Sequence, residues 1–334
     1  MHGMVRCIRV PKEDGNPVRI RLKDADMLDL RHRITADGDS LLIPITGESF
    51  EDFPVEEAEL RELEHQETDY RNLLPEDVRS VLPSSYDCIG DVIVVKLVDE
   101  LLPLKHDIGE ALIKVNKNVR LVLLDRGVKG ELRIRDLKPI AGEGSSETKH
   151  RESGVTMLTD PSTVYFNPRL ATERMRVASM VKDGETIIDM FAGVAPFGLV
   201  ILKHAHPRVV YSIDLNYDAV EYMIRNIHLN HVKGLVPIEG DASKEVYHLP
   251  MADRVIMNLP QMAWHFLPDA LARTNPGGTI HMHRINERET AEADFAGLIA
   301  DMNARGLKCR LDAVHELKTY SPTASVYVLD IIRE

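Results

Sequence analysis

At 334 residues and 44% hydrophobic content, the chain has material for two or three domains with real cores. No run approaches the ~18 apolar residues of a membrane helix, the start of the chain around Arg6 and Arg9 lacks a signal-peptide core, and Cys7, Cys88 and Cys309 form no CxxC pair. These features exclude a helical membrane protein, a disulfide scaffold and a cysteine zinc site, and they point to the cytoplasm. The net charge of −12 is concentrated in one place: residues 36–80 carry 14 acids against three bases, whereas residues 1–35 carry eight bases against five acids and residues 105–151 carry 11 against seven. The two basic segments are candidate phosphate-facing surfaces, or merely solvated faces.

Residues 1–46 alternate apolar and charged in short runs such as Val18-Arg19-Ile20-Arg21-Leu22, ending in Leu41-Leu42-Ile43-Pro44-Ile45, and predict a small β-rich domain. Residues 47–85 read as an acidic tether with one helix, over Glu56 to Glu67. An α+β domain follows over 86–160, with a strand from Ile89 to Leu97, a helix from Ile108 to Val115, and strands at Val119 to Leu124 and Leu132 to Ile140. From residue 161 to 334 strands and helices alternate, starting with Thr186 to Met190, Pro196 to His204, Val209 to Asp214 and Asp218 to His231. The alternation continues through Leu235 to Glu239, Arg254 to Asn258, Thr279 to His283 and Glu287 to Ala304 to two closing strands. That is the α/β pattern of a seven-stranded doubly wound sheet.

The chemistry-bearing residues fall at predicted strand ends. Ile187-Ile188-Asp189-Met190-Phe191-Ala192-Gly193-Val194-Ala195-Pro196 runs from strand through turn to helix, and the missing Cβ of Gly193 lets a ligand approach the backbone. Ala195 stands where a nucleotide-binding fingerprint has its second glycine. Asp214 ends the next strand, 25 residues after Asp189, where an acid can take both hydroxyls of a ribose. Asp241, with Ala242, closes the third, where an acid can accept from an adenine amino group. Each of these acids could instead be a helix cap. Asn258-Leu259-Pro260 ends the fourth strand, as an amide facing a substrate or as the cap of the next helix. Asn167-Pro168 starts a helix carrying Arg169 and Glu173 at i,i+4. His204 and His206, like His281 and His283, are i,i+2 pairs without nearby thiols, so no metal is expected. Trp264 is expected to pack beneath the Asn258 loop.

The elements Tyr165-Phe166-Asn167-Pro168-Arg169-Leu170-Ala171-Thr172-Glu173-Arg174, then Asp189-Met190-Phe191-Ala192-Gly193-Val194, then Asn258-Leu259-Pro260 closely resemble the archaeal and eukaryotic tRNA (guanine-37 N1)-methyltransferases. The resemblance is strong over residues 80–334, and the basic N-terminal unit is similar to the archaeal domain that touches the outer corner of tRNA. It implies a class I, Rossmann-like methyltransferase domain using S-adenosyl-L-methionine, with tRNA as partner through its anticodon loop and body and a monomeric chain. It implies cofactor contacts at Arg174, Asp189, Phe191, Gly193, Asp214, Leu215, Asp241, Ala242 and Asn258, and substrate contacts at Tyr165, Arg169, Arg135 and Pro260. The general base falls on Glu173, Asn258 holds the guanine edge, and Arg133 or Arg135 faces O6, with Arg133 favoured. Two rival readings are a wybutosine-pathway enzyme that transfers an aminocarboxypropyl or methyl group to a modified guanosine, whose members depart from the Glu173 and Asn258-Leu259-Pro260 elements kept here, and a catalytically silent tRNA-binding relative, against which the intact Asp189, Asp214, Asn258 and Glu173 argue.

Overall fold

The computed structural model describes residues 2–62, 67–130, 132 and 134–334, and the chain divides into two compact units, Met1–Asp69 and Tyr70–Glu334. In the first, β1 (His2–Pro11) is followed by α1 (Gly15–Asp24), β2 (Thr35–Asp37), β3 (Ser40–Pro44) and β4 (Val55–Arg61), and the antiparallel sheet has the order β2-β3-β1-β4. Two expectations are corrected here. Val18–Leu22 is helical, because Val18 and Leu22 lie one turn apart and are both buried against Ile8, Val10 and Ile43 while Arg19 and Arg21 face solvent. The acidic tether with a helix is a strand instead: β4 covers the second edge of β1, pairing Ile8 with Val55 and Cys7 with Glu56, and buries Leu60. Residues 63–66 of that expected helix lie outside the described residues. The first unit therefore extends well past residue 46.

The second unit opens with β5 (Asp87–Ile89), β6 (Val92–Val95), α2 (Lys105–Val115), β7 (Leu121–Lys129) and β8 (Ile134–Gly142), a sheet in that strand order with α2 crossing between the parallel pair β6 and β7. The single strand expected over Ile89 to Leu97 is two, hinged at Gly90. Its φ is +58°, and a Cβ there would lie 2.2 Å from Thr148 Oγ1. A hairpin of β9 (Thr148–Glu152) and β10 (Val155–Thr159), not foreseen in the sequence, is tied down by the buried Asn226. The Asn226 amide accepts from Leu158 N (2.6 Å) and donates to Leu158 O (3.0 Å).

Then come α3 (Ala171–Met180), β11 (Thr186–Asp189), α4 (Pro196–His204), β12 (Val209–Asp214), α5 (Tyr217–Asn230), β13 (Leu235–Glu239), α6 (Ala242–Glu245) and β14 (Ala252–Met257). The chain ends with α7 (Leu267–Arg273), β15 (Thr274–Glu287), α8 (Ala291–Ala304), β16 (Cys309–Thr319) and β17 (Ala324–Arg333). The expected seven-stranded doubly wound sheet is present in the order β13-β12-β11-β14-β15-β17-β16, with β17 antiparallel to its neighbours. One face packs on α3, α4 and α5 through Ile187, Val210 and Ile256, and the other on α7 and α8 through Ile188, Val255 and Ile280. The strand order reverses at β11, which pairs with both β12 and β14, so a crevice opens at its carboxyl end. Among the described residues no helix is long and apolar enough to cross a membrane.

Candidate active site

The chain turns sharply after β11. Gly193 has φ +56°, and a Cβ there would meet Tyr165 O at 3.2 Å, so the missing side chain lets the Tyr165 segment lie against the turn. Ala195 also adopts the left-handed conformation (φ +62°) as the residue before α4, with Pro196 at the first helical position. This is the place of the expected glycine, and a methyl group is held there at a cost of about 1–2 kcal/mol. Asn216 donates from Nδ2 to Thr163 O (2.9 Å), drawing the end of β12 to the same segment. Two strand ends, the glycine turn and the Tyr165 segment are thus brought together.

Asp189 is 0% exposed, and among the described residues neither carboxylate oxygen has a partner at full hydrogen-bond geometry. Burial pushes its pKa up to about 8, against the weaker pull of the Phe191 N–H and aided by the nearby Asp214 carboxylate. A buried carboxyl group left without a partner costs stability unless a ligand satisfies it. Asp214 is likewise pushed up by burial, but its Oδ2 accepts from Gly193 N (2.7 Å) and its Oδ1 from Asn216 N (2.9 Å). It therefore presents a fixed carboxylate with unused lone pairs beside the exposed Leu215. Phe191 packs edge-on to Phe266, 5.0 Å between ring centres. At Asp241 the capping alternative is realised for one oxygen: Oδ1 accepts from Ser243 N and Oγ (3.0 and 2.7 Å), which lowers its pKa, while Oδ2 lies 3.5 Å from Lys244. Ala242 is buried as the first residue of α6. An orphaned carboxyl group, a second carboxylate with spare acceptors and a close-approach glycine suit a nucleoside-bearing, positively charged cofactor.

The raised pKa of Asp189 carries a stability consequence. Its native form binds a proton that the unfolded chain releases near pH 4, so its contribution favours folding at low pH and is lost as pH rises to about 8. Asp189→Asn is expected to raise the melting temperature of the ligand-free protein at pH 8 and to flatten its decline between pH 4 and 8, while weakening cofactor binding roughly tenfold. Calorimetry with parallel cofactor titration checks both, and an unchanged affinity would remove Asp189 from the site.

Asn258 follows β14 half-buried, and among the described residues its side chain makes no hydrogen bond. Its loop is pinned instead by backbone: Leu259 O accepts from Ala263 N (2.7 Å) and Pro260 O from Ile285 N (2.9 Å), leaving the amide group available to a ligand. Tyr165 is 38% exposed. Trp264 is not packed beneath this loop; it is 40% exposed and stacks on His265.

The cations are deployed differently from expectation. Arg174 is not a free pocket cation: it is 1% exposed, donates from Nε and Nη2 to the buried Glu152 (2.6 and 2.5 Å), and caps Asn167 O. Its position one residue after Glu173 turns it inward, where only a carboxylate can compensate its charge. Arg135 and Arg169 converge on Asp87, Arg135 at 3.0 and 3.1 Å and Arg169 at 2.6 Å, so a residue not singled out in the sequence links the two expected substrate-binding arginines. Arg133 lies outside the described residues. Glu173 sits in the first turn of α3, only 4% exposed, with Oε2 and Oε1 accepting from Arg176 Nε and Nη2, both at 2.8 Å. The i,i+3 spacing of Glu173 and Arg176 is readable in the sequence; Asp87 and Glu152 have no local signal.

Residues 148–304 match the TRM5/TYW2 methyltransferase domain, residues 70–145 the TYW2 N-terminal domain and residues 7–53 the tRNA methyltransferase 5 N-terminal domain. The tRNA (guanine(37)-N(1))-methyltransferase Trm5b of Pyrococcus abyssi is 38% identical over 96% of each chain. The chain belongs to the TRM5/TYW2 methyltransferase family. Another member, Trm5b of Methanocaldococcus jannaschii, is 31% identical over 98% of each chain. The crystal structure of Trm5b from Pyrococcus abyssi superposes with a TM-score of 0.79 at 37% identity, covering 98% of this chain and 99% of that one. The family also includes tRNA(Phe) (4-demethylwyosine(37)-C(7)) aminocarboxypropyltransferase of Pyrococcus horikoshii, 31% identical over 77% of this chain and 92% of its own.

Proposed function

We propose that this chain is a tRNA (guanine37-N1)-methyltransferase that uses S-adenosyl-L-methionine. The observation that carries the reading is similarity to Trm5b from end to end, including the N-terminal unit, around a sheet edge built for a nucleoside-bearing cation. The cofactor supplies a methyl carbon made electrophilic by the adjoining sulfonium. Gly193 lets it approach the backbone, Asp214 holds the ribose hydroxyls, Asp241 faces the adenine, and Asp189 balances positive charge. Leu215 and Ala242 would complete the cofactor site. Guanine N1 carries a proton at neutral pH, so Glu173 takes it, worth about 10²–10⁴ in rate. Asn258 holds the guanine edge, Tyr165 and Pro260 shape its seat, and Arg133 or Arg135 stabilises the charge that moves to O6. Turning base 37 out of the loop stack costs a few kcal/mol, which contacts to tRNA phosphates offset. On this reading the protein works as a cytoplasmic monomer.

Incubation of tRNA with cofactor labelled at the methyl group, followed by mass mapping, tests the reading: the expected product carries one labelled methyl on guanine 37. Transfer of the unlabelled aminocarboxypropyl chain would instead support the second reading, which the 31% similarity to the aminocarboxypropyltransferase keeps in play.

The bases of residues 1–35, of which Arg6, Arg9, Arg21 and Arg31 pair with acids of the same unit, are read as a contact with the tRNA body. Deletion should be made at residue 69 rather than 46, because β4 completes the sheet. The truncated enzyme is expected to bind tRNA at least tenfold more weakly, with the single-turnover rate at saturating tRNA within about threefold of the full chain. Unchanged affinity in a filter-binding titration would remove the N-terminal unit from tRNA recognition.

A further inference from the structure

The guanidinium that grips Glu173 grips a second carboxylate. Arg176 donates to Asp330 on β17 from Nη1 (2.7 Å) and Nη2 (3.1 Å), so one cation serves two acids. Although burial disfavours its charge, Glu173 and Asp330 hold it protonated. Asp330 is fixed from behind. His281 Nδ1 on β15 lies 2.6 Å away, and His281 Nε2 lies 2.7 Å from Arg254 on β14, itself paired with Glu185. His315 on β16 approaches both Asp330 and Arg176 at 3.4 Å. Glu173, by contrast, has Arg176 as its one side-chain hydrogen-bond partner among the described residues. With Glu173 buried and the Arg176 side chain only 23% exposed, opening of this pair standing alone would be costly, because the half-buried guanidinium would lose its counter-charge. Here Asp330 would keep it neutralised.

We propose that Arg176 and Asp330 are positioning residues that hold Glu173 by its carboxylate and release it toward the guanine, Asp330 retaining Arg176 when Glu173 turns away. The inference rests on Glu173 being the base: the N1–H bond breaks, and its proton goes to the Glu173 carboxylate. Besides Arg176, the charged or titratable groups facing this cluster are Asp330, His315, His281 and Arg254, with Arg174 beside Glu173 on its own helix and the fully buried His283 further along β15.

The test is the pH profile of single-turnover methyl transfer at saturating tRNA and cofactor. Asp330→Asn leaves Glu173 as the only counter-charge of Arg176. It should slow transfer tenfold or more and move the acidic limb of the profile down by about one pH unit, with tRNA affinity unchanged. Arg176→Gln removes the cation and should move the same limb upward, and Arg176→Lys should restore it part-way. Opposite displacements are not expected of residues that merely support the fold. Wild-type rates and limbs in Asp330→Asn and Arg176→Lys, beside an inactive Glu173→Gln, would overturn the proposal and leave Glu173 as the base. Wild-type activity in Glu173→Gln would overturn both.

Discussion

Replacing Glu173 by glutamine is expected to slow single-turnover methyl transfer about 10²–10⁴-fold, or roughly 3–5 kcal/mol of barrier, with little change in affinity for tRNA or cofactor. Glutamine preserves the shape of the side chain and its reach from the first turn of α3, but it cannot accept a proton. The loss should therefore fall on the chemical step. The effect should also narrow as pH is raised toward the range where guanine N1 ionises by itself, because the base is then needed less. Rapid-quench measurement of one turnover, with tRNA binding followed separately, makes the distinction. A variant that loses tRNA affinity and keeps its rate at saturation would assign Glu173 to binding.

The largest stability effect is expected at Arg174. Its guanidinium and the Glu152 carboxylate are both buried, at 1% and 5% side-chain exposure, and His150 lies 3.5 Å from the same acid. Burial alone would raise the Glu152 pKa, yet His150 and Arg174 bring it below the ordinary value. Arg174→Ala leaves that carboxylate without its main partner and should cost about 3–5 kcal/mol, a large part of the ~5–15 kcal/mol that holds a typical domain together. Thermal denaturation should show it as a drop of roughly 6–20 °C in the unit that contains it. Replacing both partners, Arg174→Met with Glu152→Leu, should recover most of the loss, since no buried charge then remains unpaired. The wild-type contribution of Glu152 is present above about pH 4.5 and lost as pH falls through its lowered native value, so the acid side of the stability profile should flatten in Arg174→Ala. Full stability in Arg174→Ala would mean that the pair is not what joins α3 to the β9–β10 hairpin.

The seven-stranded domain was legible because its signals are local and repeated. The strands Thr186–Asp189, Val209–Asp214 and Leu235–Glu239 are short, largely apolar runs, each following helix has its own cap or start residue, and Asp189, Asp214, Asp241 and Asn258 stand at the strand ends where the crevice opens. The N-terminal unit was less legible for the opposite reason. Val18 to Leu22 satisfies a two-residue and a four-residue repeat equally, and only burial against β1 and β3 selects the helix. The acidic run at Glu56 has poor strand propensity, and pairing with β1 overrides it.

The amino-acid sequence by itself determined the order of elements in the seven-stranded domain, the places where a ligand can approach the backbone, and the family to which the chemistry belongs, since each depends on neighbours within a few residues. Which charges neutralise one another was decided only by the tertiary structure. Arg176 and Asp330 are 154 positions apart, and Arg169 and Asp87 are 82 apart. Such pairs exist only once strand register and helix docking have removed their groups from water, and then the strong dependence of charge energies on burial and distance makes the partner, not the residue type, decide what each side chain can do.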